Sequence, residues 1–168
     1  MATRSLSAAP RGASPRTLAY AIALLLPLAM IAGAYAFQYG LGLTPCEMCW
    51  WQRYADFGAI GIACMGWALR GSRAGDAVIA LAGLALLVAS GLGFYHMGVE
   101  RHWWEGITVC SSNKIEGDAL AAILNAPLVR CDAVAWSLFG ISMAGWNFII
   151  SGIGGISVLA LLARGRRT

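Results

Sequence analysis

The chain has 168 residues, of which 59% are hydrophobic and only 12% are charged, and its net charge is +4 at pH 7. Soluble domains contain about 45–50% apolar and about 25% charged residues. This composition argues against a soluble enzyme and a nucleic-acid-binding protein, and it excludes disorder for the bulk of the chain. The basic residues form no single dense patch, so they are interpreted as membrane topology signals.

The sequence contains four apolar stretches of the length that a helix needs to cross a bilayer, about 20 residues. They are residues 18–39, 50–69, 77–95 and 144–163. The second stretch is the weakest, because Arg53 and Asp56 lie near its start. The pattern predicts an all-α, polytopic membrane protein: a four-transmembrane-helix bundle that forms one membrane domain over residues 18–163.

The first stretch has an alternative interpretation as a cleaved signal peptide. Basic residues precede it, and Ala34-Tyr35-Ala36 resembles a signal-peptidase site. Its apolar core is longer than the 7–15 residues or so that are usual in a signal peptide. A retained membrane span is therefore the favoured interpretation.

The arginines predict the orientation, because basic residues accumulate in cytoplasmic loops. Three segments that fall on one side of the predicted membrane carry them: Arg4, Arg11, Arg16, Arg70, Arg73, Arg164, Arg166 and Arg167. Both termini are thus predicted to be cytoplasmic, with residues 1–17 a disordered tail and residues 164–168 a short tail. The outer loops are residues 40–49 and 97–143.

Four of the five cysteines fall on the outer side, where disulfides can persist. Cys46 and Cys49 lie in the first outer loop, Cys110 and Cys131 lie in the second, and Cys64 lies inside the second stretch, where we expect it to be inert. Structural disulfides fit the second pair, but the small Cys-x-x-Cys ring of the first pair adds little stability. Four thiolates could also bind zinc, although the spacing of the second pair is unusual for such a site. Redox chemistry is favoured over both alternatives.

The residues around the first pair predict a helix start. Thr44 is expected to be the N-cap, Pro45 the first helical residue, and Glu47 the third residue of a capping box. Cys46 would then lie in the first turn, near unpaired N–H groups and the positive end of the helix dipole. This position favours a thiolate at Cys46.

Two further polar residues are predicted to lie near this pair. Arg53 follows Cys49 by four residues, on the same helix face, and an arginine just inside a membrane is costly. It could stabilise a Cys49 thiolate, hydrogen-bond a ligand carbonyl, extend to the interface, or form an ion pair with Asp56. His96 ends the third stretch at the same level, where it is either a structural residue or part of a shared site.

In these features the sequence resembles the disulfide bond formation protein B (DsbB) family of bacterial inner-membrane thiol oxidases. The resemblance covers nearly all of residues 18–163. Its motifs are Pro45-Cys46-Glu47-Met48-Cys49, Gln52-Arg53-Tyr54, Tyr95-His96 and the pair Cys110 and Cys131.

The resemblance implies an enzyme, a thiol:quinone oxidoreductase, and a path for its electrons. A reduced periplasmic DsbA-like protein with a thioredoxin fold would attack the Cys110–Cys131 disulfide at Cys110. The freed Cys131 would attack Cys46, and Cys49 would be released as a thiolate against a bound quinone. All four cysteines are thus expected to be catalytic.

By the same resemblance, Arg53 and His96 are expected to bind the quinone, either ubiquinone or menaquinone. The protein is expected in the bacterial inner membrane, with its active cysteines on the periplasmic side and with no metal. A vitamin K epoxide reductase-like enzyme is an alternative, but Gln52-Arg53-Tyr54 argues against it. A membrane scaffold with structural disulfides and a thiolate metal protein are further alternatives.

Overall fold

The computed structural model describes residues 13–108 and 129–166. Four long helices form it: α1 (Pro15–Gly40), α2 (Glu47–Ala68), α3 (Arg73–Glu100) and α4 (Met143–Gly165). The predicted all-helical architecture is therefore confirmed. A short antiparallel hairpin of β1 (Ser137–Leu138) and β2 (Ile141–Ser142), which the sequence analysis did not predict, precedes α4.

Serine side chains cap three of the helices. Ser14, Ser72 and Ser142 each accept a hydrogen bond from the backbone N–H three residues further on. Such caps satisfy N–H groups that lack a partner within the helix. Because hydropathy marks only the most apolar part of a helix, α3 extends beyond the predicted stretch 77–95 at both ends.

The helices pack as a ring in the order α1, α2, α3, α4, with only slight contact across the ring between α1 and α3. Small residues allow α3 and α4 to approach closely. A Cβ atom added to Gly155 would lie 2.7 Å from the carbonyl oxygen of Gly83. Close packing of this kind is typical of helix contacts within membranes.

Within residues 13–108 and 129–166, three helices are long and apolar enough to cross a membrane: α1, α3 and α4, with mean hydropathies of 2.0, 2.3 and 1.8. Large apolar side chains cover their outer surfaces, such as Leu25, Val88 and Ile153. These features are those of a multi-pass membrane protein. Helix α2 is not apolar enough to be counted with them, because Arg53 and Asp56 lower its mean hydropathy. Its predicted role as a fourth span therefore stays a prediction.

A polar cluster closes one end of the bundle. The Arg16 side chain donates a 2.6 Å hydrogen bond to Asp76, and the Tyr20 hydroxyl donates to the same carboxylate at 3.0 Å. The Trp67 indole donates to the Tyr20 carbonyl oxygen. Gly165 lies against Arg16, so α1 begins and α4 ends at this same end, and the first cysteine pair lies at the opposite end.

Candidate functional site

Cys46 is itself the N-cap of α2. Its backbone is extended (φ −77°, ψ 174°), and its sulfur accepts a 3.2 Å hydrogen bond from the Cys49 N–H. The predicted cap at Thr44, with Pro45 inside the first turn, is therefore wrong. The Cys46 sulfur is the capping acceptor that was predicted at Thr44, two residues earlier. The helix therefore begins only at Glu47, after Pro45.

The two cysteines of the first pair are free thiols in contact with each other. Their Sγ atoms lie 2.7 Å apart, and a disulfide bond is about 2.05 Å long, so a small movement closes the bond. The hydrogen bond shared with Cys49, together with burial, raises the pKa of Cys46. This direction is opposite to the one that the predicted Cys46 thiolate requires, and the thiolate stays a prediction.

His96, near the end of α3, lies beside this pair. Its Nε2 atom is 3.6 Å from the Cys46 sulfur and 3.2 Å from the Cys131 carbonyl oxygen. The imidazole is only 4% exposed. The side chain is therefore positioned between the first cysteine pair and the chain segment that carries Cys131.

A chain of side-chain amides fixes the tautomer of His96. The Asn147 amide donates to Gln52 Oε1 at 2.7 Å and to the Ala89 carbonyl oxygen at 3.1 Å. The Gln52 amide donates to the Met48 carbonyl oxygen and contacts His96 Nδ1 at 2.8 Å. Because backbone carbonyls only accept, both amide orientations follow. The Nδ1 atom must accept, so Nε2, which faces the cysteines, carries the proton.

This chain predicts the effect of replacing Gln52 with leucine. His96 Nδ1 would lose its donor, and Asn147 would lose its acceptor. We expect the imidazole nitrogen chemical shifts to move toward a mixture of tautomers and the free energy of unfolding to fall by about 1–3 kcal/mol. Nitrogen NMR of His96 and denaturant unfolding measure the two effects.

Ser151→Ala is the matched control for this change. Ser151 bonds to the Oδ1 atom of Asn147 and lies outside the Gln52–His96 contact, so the tautomer should be preserved. Unaltered histidine nitrogen shifts in Gln52→Leu would contradict the assigned role of the amide chain.

The second cysteine pair is represented by Cys131, which is disulfide-bonded. It is fully buried and belongs to the same apolar cluster as Cys46, Met48 and Val99. Its predicted partner Cys110 lies outside the described residues. The structure thus places the backbone and side chain of Cys131 in the cluster that surrounds the first pair.

An ion pair flanks Cys131 along the chain. The Arg130 guanidinium lies 2.5 Å from the Asp132 carboxylate and holds the pKa of that carboxyl below its usual range. Arg130 is half exposed, and pairs of this type stabilise a fold by about 0–1 kcal/mol. Their main effect here is local, because the charges on either side of Cys131 cancel.

Arg53 is held inside the bundle by residues of α1. It is 6% exposed, and it donates to Gln38 Oε1 at 2.6 Å and to the Ala34 carbonyl oxygen at 3.3 Å. The guanidinium lies 4.9 Å from the ring centre of Tyr35 and 5.0 Å from that of Trp50. These contacts are of the kind that a buried cation needs.

A cavity of about 470 Å³ opens beside these residues. Its walls are mainly apolar, and the polar and charged residues that line it include Cys46, Cys49, Gln52, Arg53, Asp56, His96, Glu100, Arg130 and Asn147. Sites for small molecules typically have about 300–1,000 Å³ and a few polar groups on apolar walls. Asp56 forms no ion pair with Arg53 among the described residues, so that predicted alternative is also wrong.

Gln52 and Asn147 were not predicted as part of the hydrogen-bonded chain that leads to His96. Asn147 is an amide within an apolar helix, and a buried polar residue in a membrane segment requires a partner. That signal was available in the sequence. The partner was not, because Gln52 and Asn147 are 95 residues apart and meet only through the packing of α2 against its neighbours.

The fold and the site together define a multi-pass helical membrane protein with a cysteine pair at one end and a ligand-sized cavity beside it. The family model described as "Disulfide bond formation protein DsbB" matches residues 15–162. The chain belongs to this family of disulfide-forming oxidoreductases.

Individual relatives with this family name are similar to the chain over most of its length. A Disulfide bond formation protein B of Verminephrobacter eiseniae is 34% identical over 165 residues, which cover 92% of this chain and 89% of the relative. That of Paracidovorax citrulli is 30% identical and covers 99% of this chain and 95% of the relative. No solved structure matches the chain significantly.

Proposed function

We propose that this protein reoxidises a periplasmic DsbA-like dithiol with a thioredoxin fold and passes the two electrons to a membrane quinone. The observation that carries the proposal is the meeting of three features at one end of the bundle. These are a reduced Cys-x-x-Cys pair, a disulfide-bonded Cys131 in the same buried cluster, and an apolar cavity that both cysteines of the pair line.

Two exchanges bring the electrons to the first pair. The partner's thiolate attacks Cys110, the Cys110–Cys131 disulfide opens, and Cys131 is released. Cys131 then attacks Cys46 of an oxidised first pair, and Cys49 leaves as the thiolate. Each step replaces one S–S bond by another, as thiol–disulfide exchange requires. Two further exchanges complete the transfer: the partner's second cysteine displaces Cys110, and Cys110 attacks Cys131 so that Cys46 is released. The free thiols at Cys46 and Cys49 and the disulfide-bonded Cys131 correspond to the state that follows, before the quinone is reduced.

The cavity fits a quinone. Apolar walls suit its ring and isoprenoid tail, and the Arg53 guanidinium offers N–H donors for a ring oxygen. Arg53 would hold the ring, Cys49 would face it, and His96 would keep its Nε2–H directed at Cys46. When bound, a quinone supplies a lipid-soluble acceptor for two electrons.

The proposed orientation follows from the basic segments. Both termini are cytoplasmic, α2 is the fourth membrane span, and the cysteine end faces the periplasm across the bacterial inner membrane. The polar residues that weaken α2 as a span are buried in the bundle, where a membrane helix can carry them.

A thiolate metal protein is a second candidate. The ligand atoms of Cys46, Cys49 and His96 lie within 4.8 Å of one another, and two sulfurs with one imidazole suit a soft metal ion. Stoichiometric, thiol-dependent binding of zinc to the purified protein, without any dithiol oxidation, would favour this candidate.

Trapping of the partner tests the proposed reaction. A DsbA-like protein that retains only its attacking cysteine should form a mixed disulfide with the wild-type protein. Cys46→Ala, which keeps the Cys110–Cys131 disulfide, should still form it, whereas Cys110→Ser, which has no such disulfide to attack, should not. Mixed disulfides through Cys46 in place of Cys110 would overturn the proposed order, and a vitamin K epoxide reductase-like enzyme would in addition reduce the epoxide substrate.

A further inference from the structure

Asp56 is a buried carboxyl group on the cavity wall, and one of its two oxygens has no hydrogen-bond partner among the described residues. The residue is 4% exposed, and its Oδ1 atom has no hydrogen-bond partner among the described residues. A buried polar atom without a partner costs about 1–3 kcal/mol. Because this oxygen costs stability and belongs to a residue on the cavity wall, we expect a bound ligand to supply the missing hydrogen bond.

The position of Asp56 relates it to the other polar groups of α2. It follows Cys49 by seven residues, almost two complete helical turns, so the two residues share one face about 10 Å apart along the axis. Arg53 lies between them, and all three side chains line the cavity. The bonds that hold Arg53 run to α1, and Arg53 forms no ion pair with Asp56 among the described residues.

We infer that Asp56, in its acid form, donates a hydrogen bond to the quinone oxygen remote from Cys49 and gives that oxygen its proton when the ring is reduced. The inference rests on the proposed function and adds to it a second polar contact at the deep end of the cavity. Asp56 is in this view a catalytic residue of the quinone step.

The step balances in atoms and electrons. Oxidation of the Cys46–Cys49 dithiol breaks two S–H bonds, forms one S–S bond, and releases two electrons and two protons. Reduction of a quinone to a hydroquinone consumes the same electrons and protons. Asp56 would give one proton to the remote oxygen and regain one from water. One thiol proton would pass to the second oxygen and the other to water, so the protons balance.

Two substitutions separate binding from proton transfer. Asp56→Asn keeps a hydrogen-bond donor but cannot release a proton, whereas Asp56→Leu removes both functions. The quinone-depleted full-length protein is titrated with a benzoquinone that carries one isoprenoid unit. Its melting temperature is followed as the measure of binding, and single-turnover oxidation of the dithiol is followed as the measure of chemistry.

Asp56→Asn should bind the quinone within about twofold of wild type and turn over about 10²-fold more slowly or worse. Asp56→Leu should bind about tenfold more weakly, the loss of one buried hydrogen bond of roughly 1.4 kcal/mol. Its melting temperature without quinone should be at least that of wild type, because the unpartnered oxygen is gone.

Asp76→Asn is the matched control, since it removes a carboxylate from the ion pair at the opposite end of the bundle. It should lower the melting temperature and leave the quinone-induced shift unchanged. Wild-type binding by Asp56→Leu, wild-type turnover by Asp56→Asn, or a lower quinone-free melting temperature for Asp56→Leu would each overturn the inference. Failure of the wild-type protein to use the quinone would instead overturn the proposed function.

Discussion

Replacing Cys49 with alanine is expected to abolish quinone-dependent oxidation of the dithiol partner, with a loss of at least about 10³-fold. Cys49 lies on the cavity wall and supplies the sulfur that faces the quinone. Without it, Cys46 cannot form the disulfide that Cys131 attacks, so the two electrons cannot pass from the second pair to the quinone. The rate of quinone reduction, with excess reduced partner, measures the loss.

The bundle of Cys49→Ala should remain folded, because the Cys49 side chain is only partly buried and its backbone N–H still caps α2 through Cys46. Cys46→Ala should be equally inactive but less stable by about 1 kcal/mol, since it removes the N-cap acceptor itself. Circular dichroism and thermal unfolding of both variants measure this difference.

Cys64→Ala is the control for cysteine removal. Cys64 is exposed on the outer surface of α2, and its helix position lies about 22 Å from Cys49 along the axis. Its substitution should leave turnover unchanged. Retained activity in Cys49→Ala, or a large loss in Cys64→Ala, would remove the first pair from the centre of the mechanism.

Replacing Arg53 with alanine is expected to raise the KM for a short-chain quinone by about tenfold to a hundredfold. Hydrogen bonds that involve a charged group contribute about 1.5–3 kcal/mol, and this guanidinium lines the cavity where the ring oxygen would lie. Steady-state kinetics with the quinone concentration varied and the dithiol saturating give the KM directly.

Two control variants separate quinone binding from support of the fold. Gln38→Ala removes the 2.6 Å partner of Arg53 and keeps the guanidinium, so it should raise the KM less than Arg53→Ala does. Arg53→Lys keeps the charge but not the planar guanidinium group or its stacking on Tyr35. We therefore expect its KM for the quinone to lie between those of wild type and Arg53→Ala. A KM that Arg53→Ala leaves unaltered would restrict the arginine to a structural role.

The long helices could be predicted from the sequence because their signal is local. Twenty consecutive apolar residues demand a helix in lipid, where each backbone polar group must be satisfied within the segment. The start of α2 shows the limit of that reasoning. Thr44 and Cys46 both offer a capping acceptor, and the choice of Cys46 depends on a sulfur contact that a general cap rule does not include.

The sequence allowed the reactive residues of the candidate site to be predicted, but not the hydrogen bonds between them. Residue type and a predicted position near one end of the bundle identify four candidate residues: Cys46, Cys49, Arg53 and His96. The tautomer of His96 could not be read in the same way, because it depends on amide groups from α2 and α4. The unpartnered oxygen of Asp56 could not be predicted either. The sequence suggested an ion pair between Asp56 and Arg53 as one alternative, but Arg53 instead contacts α1.

Anaerobic stoichiometry tests the electron path most directly. The reduced DsbA-like partner is mixed with the purified protein and a short-chain quinone, and disulfide and hydroquinone are counted in the same samples. The account predicts one hydroquinone for each partner disulfide, and neither product in Cys49→Ala. Partner oxidation without hydroquinone, or hydroquinone formation that survives in Cys49→Ala, would contradict it.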